Sequence, residues 1–325
     1  MILRRAWIPV LLMLALASGC AAGGQRLFIS LPVVDLRAQP ATAIQANTHD
    51  PLEESQLLFG EEVRVVKQAG GWSYIEALEQ PEFSHHKSWQ GYPGWVPDAA
   101  ITALPDLAPP PNLIVTAKWA LAWDNGFRTG PPVQQFPLGT KLAGISFGGQ
   151  LWKINLNDHQ SVWLKTEDAQ RIDELQALPG AQRRRLILYH AAKFLGDPYL
   201  WGGRSPYGGA PAHSVTGVDC SGLVSLAYRA VGLDIPRDAH EQFLRAHPVP
   251  TPQPGDLIFL SAAEDPRRIV HVMLYAGEGM ILEAPGTGLT VRRISATQRL
   301  GRPVEQIQTG TVVDKQTVYF GSYLP

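Results

Sequence analysis

Cysteine is nearly absent from this chain. Cys20 and Cys220 are the only two among 325 residues, so the fold cannot rest on a disulfide framework. Charge of one sign is missing as well. With 28 Lys+Arg against 29 Asp+Glu there is no basic excess to hold phosphate backbones, which argues against nucleic acid as a partner. No cysteine or carboxylate cluster accompanies the nine histidines at metal-ligand spacing, so neither a metal nor another cofactor is expected. The opening "MILRRAWIPVLLMLALASGC" has an apolar run, Ala6 to Ala17, shorter than the ~20 residues a membrane span needs. With Arg4 and Arg5 before it and small residues after, it reads as an export signal. What is plentiful is glycine (31), proline (27) and tryptophan (9), a mixture that suggests many short strands and turns. Hydrophobic residues at 45% suffice for real cores, and the length allows two or three domains of roughly 150 residues each.

The ending "LASGC" is similar to the lipobox of bacterial lipoproteins, which implies a signal peptide over residues 1–20 and a lipidated Cys20. An ordinary cleaved signal with an incidental cysteine is the alternative. A lipidated Cys20 leaves Cys220 without a disulfide partner. Exported proteins usually pair their cysteines, so the lone thiol is either catalytic or a buried, inert side chain.

An internal repeat precedes any chemistry. "VVDLRAQP", "LLFGEEVRVVKQAGGWSYIEA" and "GYPGWVPDAAI" read as short strands separated by glycine turns, and "LAWDNG", "FPLGTKLAGISFGGQLWKINL" and "SVWLKTEDA" replay them. Gly60 to Trp72 spans 12 positions and Gly139 to Trp152 spans 13. The pattern resembles bacterial SH3-like domains and implies two small all-β barrels, residues 27–103 and 113–170. The proline-rich "LPDLAPPPN", residues 104–112, suits a stiff linker.

Residues 180–325 behave differently. "AQRRRLILYHAAKFLG" places Leu188, Ala191, Ala192 and Leu195 at helical spacing, with Gly196 as the stop. A second helix follows Cys220, with Leu223, Leu226, Ala227 and Ala230 in phase. "LIFL", "IVHVMLYAG", "GMILEAPG" and "LTVRRIS" then read as strands, so helices precede an antiparallel sheet in an α+β domain. Cys220 falls between the turn-forming "TGVD" and the apolar stripe, at a helix N-terminus, where the dipole and a nearby imidazolium favour the thiolate. His271 interrupts an apolar strand and is the best candidate base; His85 and His86 in a polar loop, His213, His190, His240 and His247 look weaker. Glu283 stands twelve residues later, across a "GEG" hairpin, where a carboxylate would orient the imidazole. Strand position alone leaves open an exposed edge carboxylate.

"DPYLWGG", "GVDCSGLV", "PGDLIFL", "HVMLYAG" and "ILEAPG", in this order, resemble the NlpC family of papain-like cell-wall cysteine peptidases. The resemblance implies Cys220 as nucleophile, His271 as base, Glu283 as third polar residue and Tyr199 in the cleft near the nucleophile, helping the oxyanion. Histidine is common at the third position, so glutamate departs from the pattern. "GGAPAHSVTG", residues 208–217, is longer than usual and would reshape the cleft rim. Two SH3-like domains before such a peptidase resemble the γ-D-glutamyl-L-diamino acid endopeptidases, which cut stem peptides with a free amino end between D-glutamate and the diamino acid. That resemblance implies Asp219 and Ser221 as binders of the substrate amine and backbone, with Glu54 and Tyr92 adding contacts from the first barrel; helix capping is the alternative role for Asp219 and Ser221. The expectation is therefore a periplasmic lipoprotein enzyme acting on L-Ala-γ-D-Glu-diamino acid peptides, held by lipid on Cys20 to the membrane. A non-catalytic wall-binding lipoprotein and a papain-like hydrolase of other specificity remain as alternatives. Because Ala21 rather than aspartate follows the cysteine, similarity to Gram-negative sorting implies the outer membrane. A multiply acylated cysteine anchors firmly at ~0.8 kcal/mol per buried methylene, so Cys20→Ala is expected to leave the membrane fraction. Normal processing and membrane recovery of that variant would refute lipidation.

Overall fold

The computed structural model describes residues 26–42, 49–103, 109–157, 160–209 and 214–325. Cys20 with its signal segment, residues 104–108 of the linker and residues 210–213 of the insertion, His213 included, lie outside the described residues.

The first region is all β, as its glycine-punctuated alternation predicts. Seven strands, β1 (Leu27–Ile29), β2 (Val33–Arg37), β3 (Glu53–Leu58), β4 (Glu62–Ala69), β5 (Trp72–Glu82), β6 (Gln90–Pro97) and β7 (Ile101–Ala103), form one sheet. Its core is Ile29, Val34, Leu36, Leu57, Val63, Ile75, Tyr92 and Val96. The order β3-β2-β6-β5-β4-β1-β7 leaves β3 and β7 as edges, so among the described residues the sheet does not close into a ring. β3 is covered instead by the C-terminal region. Gln56 on β3 donates to Val215 O at 2.7 Å and accepts from Arg204 N at 3.0 Å and Ser205 Oγ at 2.7 Å. The Gln56 carbonyl on the edge itself accepts from Gln80 Nε2 at 3.0 Å and Arg204 Nη1 at 3.4 Å, so side chains cover this edge in part.

The second region, residues 113–171, is also all β but splits into three small sheets of two, three and three strands. They surround a core of Leu113, Val115, Ala120, Phe136, Ile154, Val162 and Leu164. The repeat is visible in the backbone: Gly60 and Gly139 both turn the chain at positive φ, +78° and +90°, just before a strand.

The C-terminal region is α+β. Helices α1 (Ile172–Ala177), α2 (Gly180–Ala192), α3 (Cys220–Arg229) and α4 (Ala239–Arg245) precede an antiparallel sheet. The sheet runs in the order His247–Pro248, Gln316–Ser322, Leu257–Ser261, Ile269–Gly277, Met280–Glu283 and Arg292–Ser295, and a short helix α5 (Ala296–Leu300) follows the last of these in the chain. Alternation explains its two buried faces. Leu257, Phe259, Val272, Leu274 and Leu282 join the core around α3, whereas Ile258, Leu260, Met273, Tyr275 and Ile281 pack with Ala296 and Leu300 of α5.

The α2 stripe runs in a different phase from the one the leucines and alanines suggest. The buried positions are Arg184, Ile187, His190 and Ala191, while Leu195 lies past the helix end and is 44% exposed. Arg184 faces inward because it pairs with Asp256 at 2.6 Å, a partner 72 residues away that helical spacing does not see. α3 is buried at every position. At its far end Arg229 fastens all three regions. Its guanidinium meets Glu61 and Glu79 of the first region at 3.2 and 2.8 Å and Asp234 at 2.6 Å, and its Nε donates to Gly139 O of the second region at 2.7 Å.

The first turn of α3 is seated on the turn of "YLWGG". A β-carbon on Gly222 would stand 2.2 Å from Gly203 O, and one on Gly203 would stand 2.5 Å from Gly217 O. Gly222→Ala is therefore expected to cost ~1–3 kcal/mol by overpacking. Gly180→Ala, whose nearest neighbour would be Pro325 O at 3.7 Å, should shift stability by less than about 1 kcal/mol. Denaturant unfolding measures both, and a Gly222→Ala midpoint equal to the parent's would show that the helix is not pressed onto this turn.

Candidate active site

Helix α3 begins at Cys220 because Asp219 caps it: the Asp219 backbone is extended (φ −90°, ψ −175°) and its Oδ1 accepts from Gly222 N at 2.6 Å. The thiol therefore sits in the first helical turn, 8% exposed, where unpaired N–H groups and the helix dipole favour negative charge. Asp219 does more than cap. Its Oδ2 accepts from Gly202 N at 3.1 Å and Arg237 Nη2 at 2.8 Å, and its Oδ1 from Arg237 Nη1 at 3.1 Å and Ser221 Oγ at 3.3 Å. Every lone pair of this carboxylate is occupied, so it has none to offer a ligand's amine. Ser221 Oγ also accepts from Arg237 Nη1 at 2.9 Å, and both residues are buried.

His271 approaches the thiol from the strand Ile269–Gly277. The ladder slips there, pairing Leu260 with His271 but Ser261 with Ile269, so Val270 bulges out and is 41% exposed. His271 Nε2 lies 2.9 Å from Glu283 Oε2, which leaves Nδ1 for Cys220, the other group that favours the imidazolium. Glu283 is fully buried, which removes the open alternative of an edge carboxylate. Its Oε1 accepts from Arg292 Nε and Nη2 at 3.1 and 2.8 Å, and its Oε2 also accepts from Arg299 Nε at 3.1 Å. Burial alone would depress the imidazole pKa. Hydrogen bonds to Cys220 and Glu283, and their charges, outweigh it and raise His271 to about 9. Burial likewise opposes ionisation of Glu283, but His271, Arg299 and Arg292 together lower it to about 2.

Tyr199 lies against the same cluster. Its backbone bridges Val218, and burial, Asp219 and Cys220 all raise its phenol, so it stays protonated as a donor.

Glu54 on β3 and Tyr92 on β6 belong to the opposite wall, and the structure joins them to a residue the sequence did not single out. Tyr92 Oη donates to Asp238 Oδ2 at 2.9 Å and lies 3.4 Å from Glu54 Oε2. Asp238 is the N-cap residue of α4, and its Oδ1 is 3.6 Å from Arg237 Nη1. Burial, partly offset by Arg237 and reinforced by Glu241 and Asp219, pushes its carboxyl up to about 7. Two carboxylates and a phenol thus converge at the contact between the first region and the peptidase-like region. Arg237 connects this pocket to the thiol: fully buried, it spans Asp219 and Ser221 and reaches Ser55 Oγ on β3 at 2.9 Å. Arg237, Asp238, Arg292 and Arg299 were all missed from sequence. The only signal was an Arg–Asp pair in the loop "IPRDAH" and basic residues in "VRRIS" and "QRL".

Residues 196–312 match the NlpC/P60 family. The γ-D-glutamyl-L-lysine dipeptidyl-peptidase of Bacillus cereus is 29% identical over 71% of this chain and 67% of its own length. The enzyme of the same name from Bacillus subtilis is 28% identical over 77% of this chain and 78% of its own. The crystal structure of an NlpC/P60 family protein from Bacillus cereus superposes with a TM-score of 0.73 at 23% identity, covering 92% of this chain and 100% of that one. The last match speaks to the fold.

Because folding raises His271 from 6.5 to about 9, its contribution to stability is complete below the unfolded value and is lost as pH rises through about 9. Glu283 falls from 4.5 to about 2, so its contribution is present above the unfolded value and is lost as pH falls through about 2. Both act between about pH 4.5 and 6.5. Glu283→Gln is expected to cost about 3 kcal/mol at pH 6, and the penalty at pH 9.5 should be smaller by more than about 1 kcal/mol. Equal penalties at the two pH values would show that Glu283 is not coupled to the imidazolium.

Proposed function

We propose that this chain, which carries an NlpC/P60 domain over residues 196–312, is a cysteine peptidase that hydrolyses the bond between γ-D-glutamate and the diamino acid of peptidoglycan stem peptides with a free amino-terminal L-Ala. The observation that carries the reading is the pairing of two features: a thiol at a helix start beside a buried His271–Glu283 pair, and an acidic pocket built across two regions. The names of the two Bacillus relatives, matched over most of the chain, support the same bond.

In this reading Cys220 Sγ attacks the γ-glutamyl carbonyl. His271 accepts the thiol proton and delivers it to the leaving amine, and a water then hydrolyses the thioester while His271 acts as base. Glu283 holds the imidazole with Nε2 bound and Nδ1 toward sulfur. The Cys220 backbone N–H and the Tyr199 phenol are the oxyanion donors. Ser221 and Asp219 act through the substrate-side wall they build rather than through free lone pairs. Glu54 and Asp238 accept the ammonium group under Tyr92, so anchoring the amino terminus at a fixed reach from the thiol counts off two residues before the cut. Stem peptides still attached to glycan have an acylated L-Ala nitrogen, so the substrate is one already released by an amidase. The two all-β regions serve as SH3-like modules in this reading, and lipid on Cys20 holds the enzyme at the periplasmic face of the outer membrane.

The test compares kcat/KM for L-Ala-γ-D-Glu-diaminopimelate and its N-acetyl form, with products identified by mass spectrometry. Release of the L-Ala-γ-D-Glu dipeptide is expected, abolished in Cys220→Ala. Sites built for a polar group reject analogues lacking it by ~10⁴-fold, so discrimination of that order is expected in the parent and a large loss of it in Glu54→Ala. Equal rates on the two peptides would overturn amine recognition.

A further inference from the structure

The loop between β5 and β6 brings His85 to the rim of the acidic pocket, and the loop is fastened on both sides. Ser84 N and Oγ donate to Glu241 Oε1 on α4, and the Arg245 guanidinium stacks 3.7 Å from the centre of the Trp89 ring. Within the loop His85 N donates to Glu82 Oε2 at 3.0 Å, and His85 Nδ1 lies 3.1 Å from the same oxygen. Glu82 is almost wholly buried and its other oxygen accepts from Gln90 Nε2. An acceptor facing Nδ1 assigns the proton to Nδ1, so the neutral ring carries its lone pair on Nε2.

That nitrogen stands 3.9 Å from Glu54 Oε2, and the ring centre is 5.3 Å from that of Tyr92. A gap of 3.9 Å is too long for a direct hydrogen bond. Two acceptors on different N–H bonds of one ammonium, each ~2.8 Å from the nitrogen, stand ~4.6 Å apart, so a small turn of the exposed ring or carboxylate opens the gap to that spacing. Solvent reaches all three side chains, His85 at 35%, Glu54 at 26% and Asp238 at 37%, so a ligand can as well.

We propose that His85 is a specificity-determining residue of this pocket: its Nε2 is a third acceptor for the substrate's ammonium group beside Glu54 and Asp238. This rests on the reading of the pocket as an amine site. Glu54 from β3, Glu82 from β5 and Tyr92 from β6 face His85, and Asp238 meets Tyr92 beside them. Arg237 is saturated by Asp219, Ser221 and Ser55. Burial raises the Asp238 carboxyl to about 7 in parent and variants alike, so the signature of His85 is a difference between proteins at one pH.

The experiment measures KM and kcat for L-Ala-γ-D-Glu-diaminopimelate at pH 7.5 with the parent, His85→Gln and His85→Ala, after thermal unfolding shows each folded. Glutamine keeps an acceptor at this position. His85→Ala is expected to show a KM at least threefold above the parent's with little change in kcat, and His85→Gln a KM closer to the parent's. Equal KM values for the parent and His85→Ala, in an enzyme that still prefers the free amine over the N-acetyl form, would overturn the proposal alone. A parent enzyme that cleaves both forms equally would overturn it together with the amine reading.

Discussion

The guanidinium of Arg237 is the group on which the rest of the site depends. It is fully buried, so its charge must be answered within the protein, and Asp219 answers it with both oxygens. The same Asp219 fixes the residue at which helix α3 starts, hence the position of Cys220. Ser221, one residue on, is held by the same guanidinium, and Ser55 ties it to the first β region. Removing the arginine would strand a buried carboxylate at the cap of the nucleophile's helix. Burying such a pair gains little net stability over an apolar one. What it supplies is geometry: one planar fork fixes the thiol's helix relative to the wall that recognises the substrate.

A second set of charges makes the glutamate in the third position workable. A neutral imidazole orients a catalytic histidine without extra charge, whereas a fully buried carboxylate must be neutralised when His271 gives up its proton. Arg292 and Arg299 do this from the neighbouring strand and from α5, and both retain contact with solvent. Glu283 therefore remains ionised through a cycle in which the imidazole alternates between charged and neutral. The result is a stronger hold on the imidazolium than a neutral partner would give, one that adds to the effect of Cys220 in raising His271 to about 9.

Cys220, His271 and Glu283 were legible because each breaks a local pattern: a thiol ahead of an apolar stripe, and two polar residues inside apolar strands. The two β regions were legible from glycine spacing, though not their pairing, because which strands form edges depends on contacts such as Gln56 with Val215, 159 residues apart. The same limit explains the α2 stripe, where Arg184 displaced leucine from the buried face through a distant Asp256. Arg237 and Asp238 were invisible because a charged pair in a loop looks like solvated surface until its partners, 146 and 182 residues away, are known. Asp219 shows the converse. Its neighbourhood to the cysteine suggested ligand binding, and the structure instead uses all its lone pairs internally.

The pocket proposed to hold the substrate's amine belongs to no single region. Glu54, Tyr92 and His85 come from the first β region, and Asp238 comes from the loop that carries Arg237. A pocket divided in this way is only as well defined as the contact between the regions, where Val33, Leu58 and Leu138 join the core around α3 and buried polar groups bond across beside them. Gln56 uses both ends of its amide across it, and Arg229 joins Glu61, Glu79 and Gly139 behind it. Polar contacts of this kind have steep angular preferences and fix register more sharply than apolar packing does. The proposed selection of a cleavage site by the distance from an amino terminus to a thiol needs that sharpness, because a shift of one residue would bring a different bond to the sulfur.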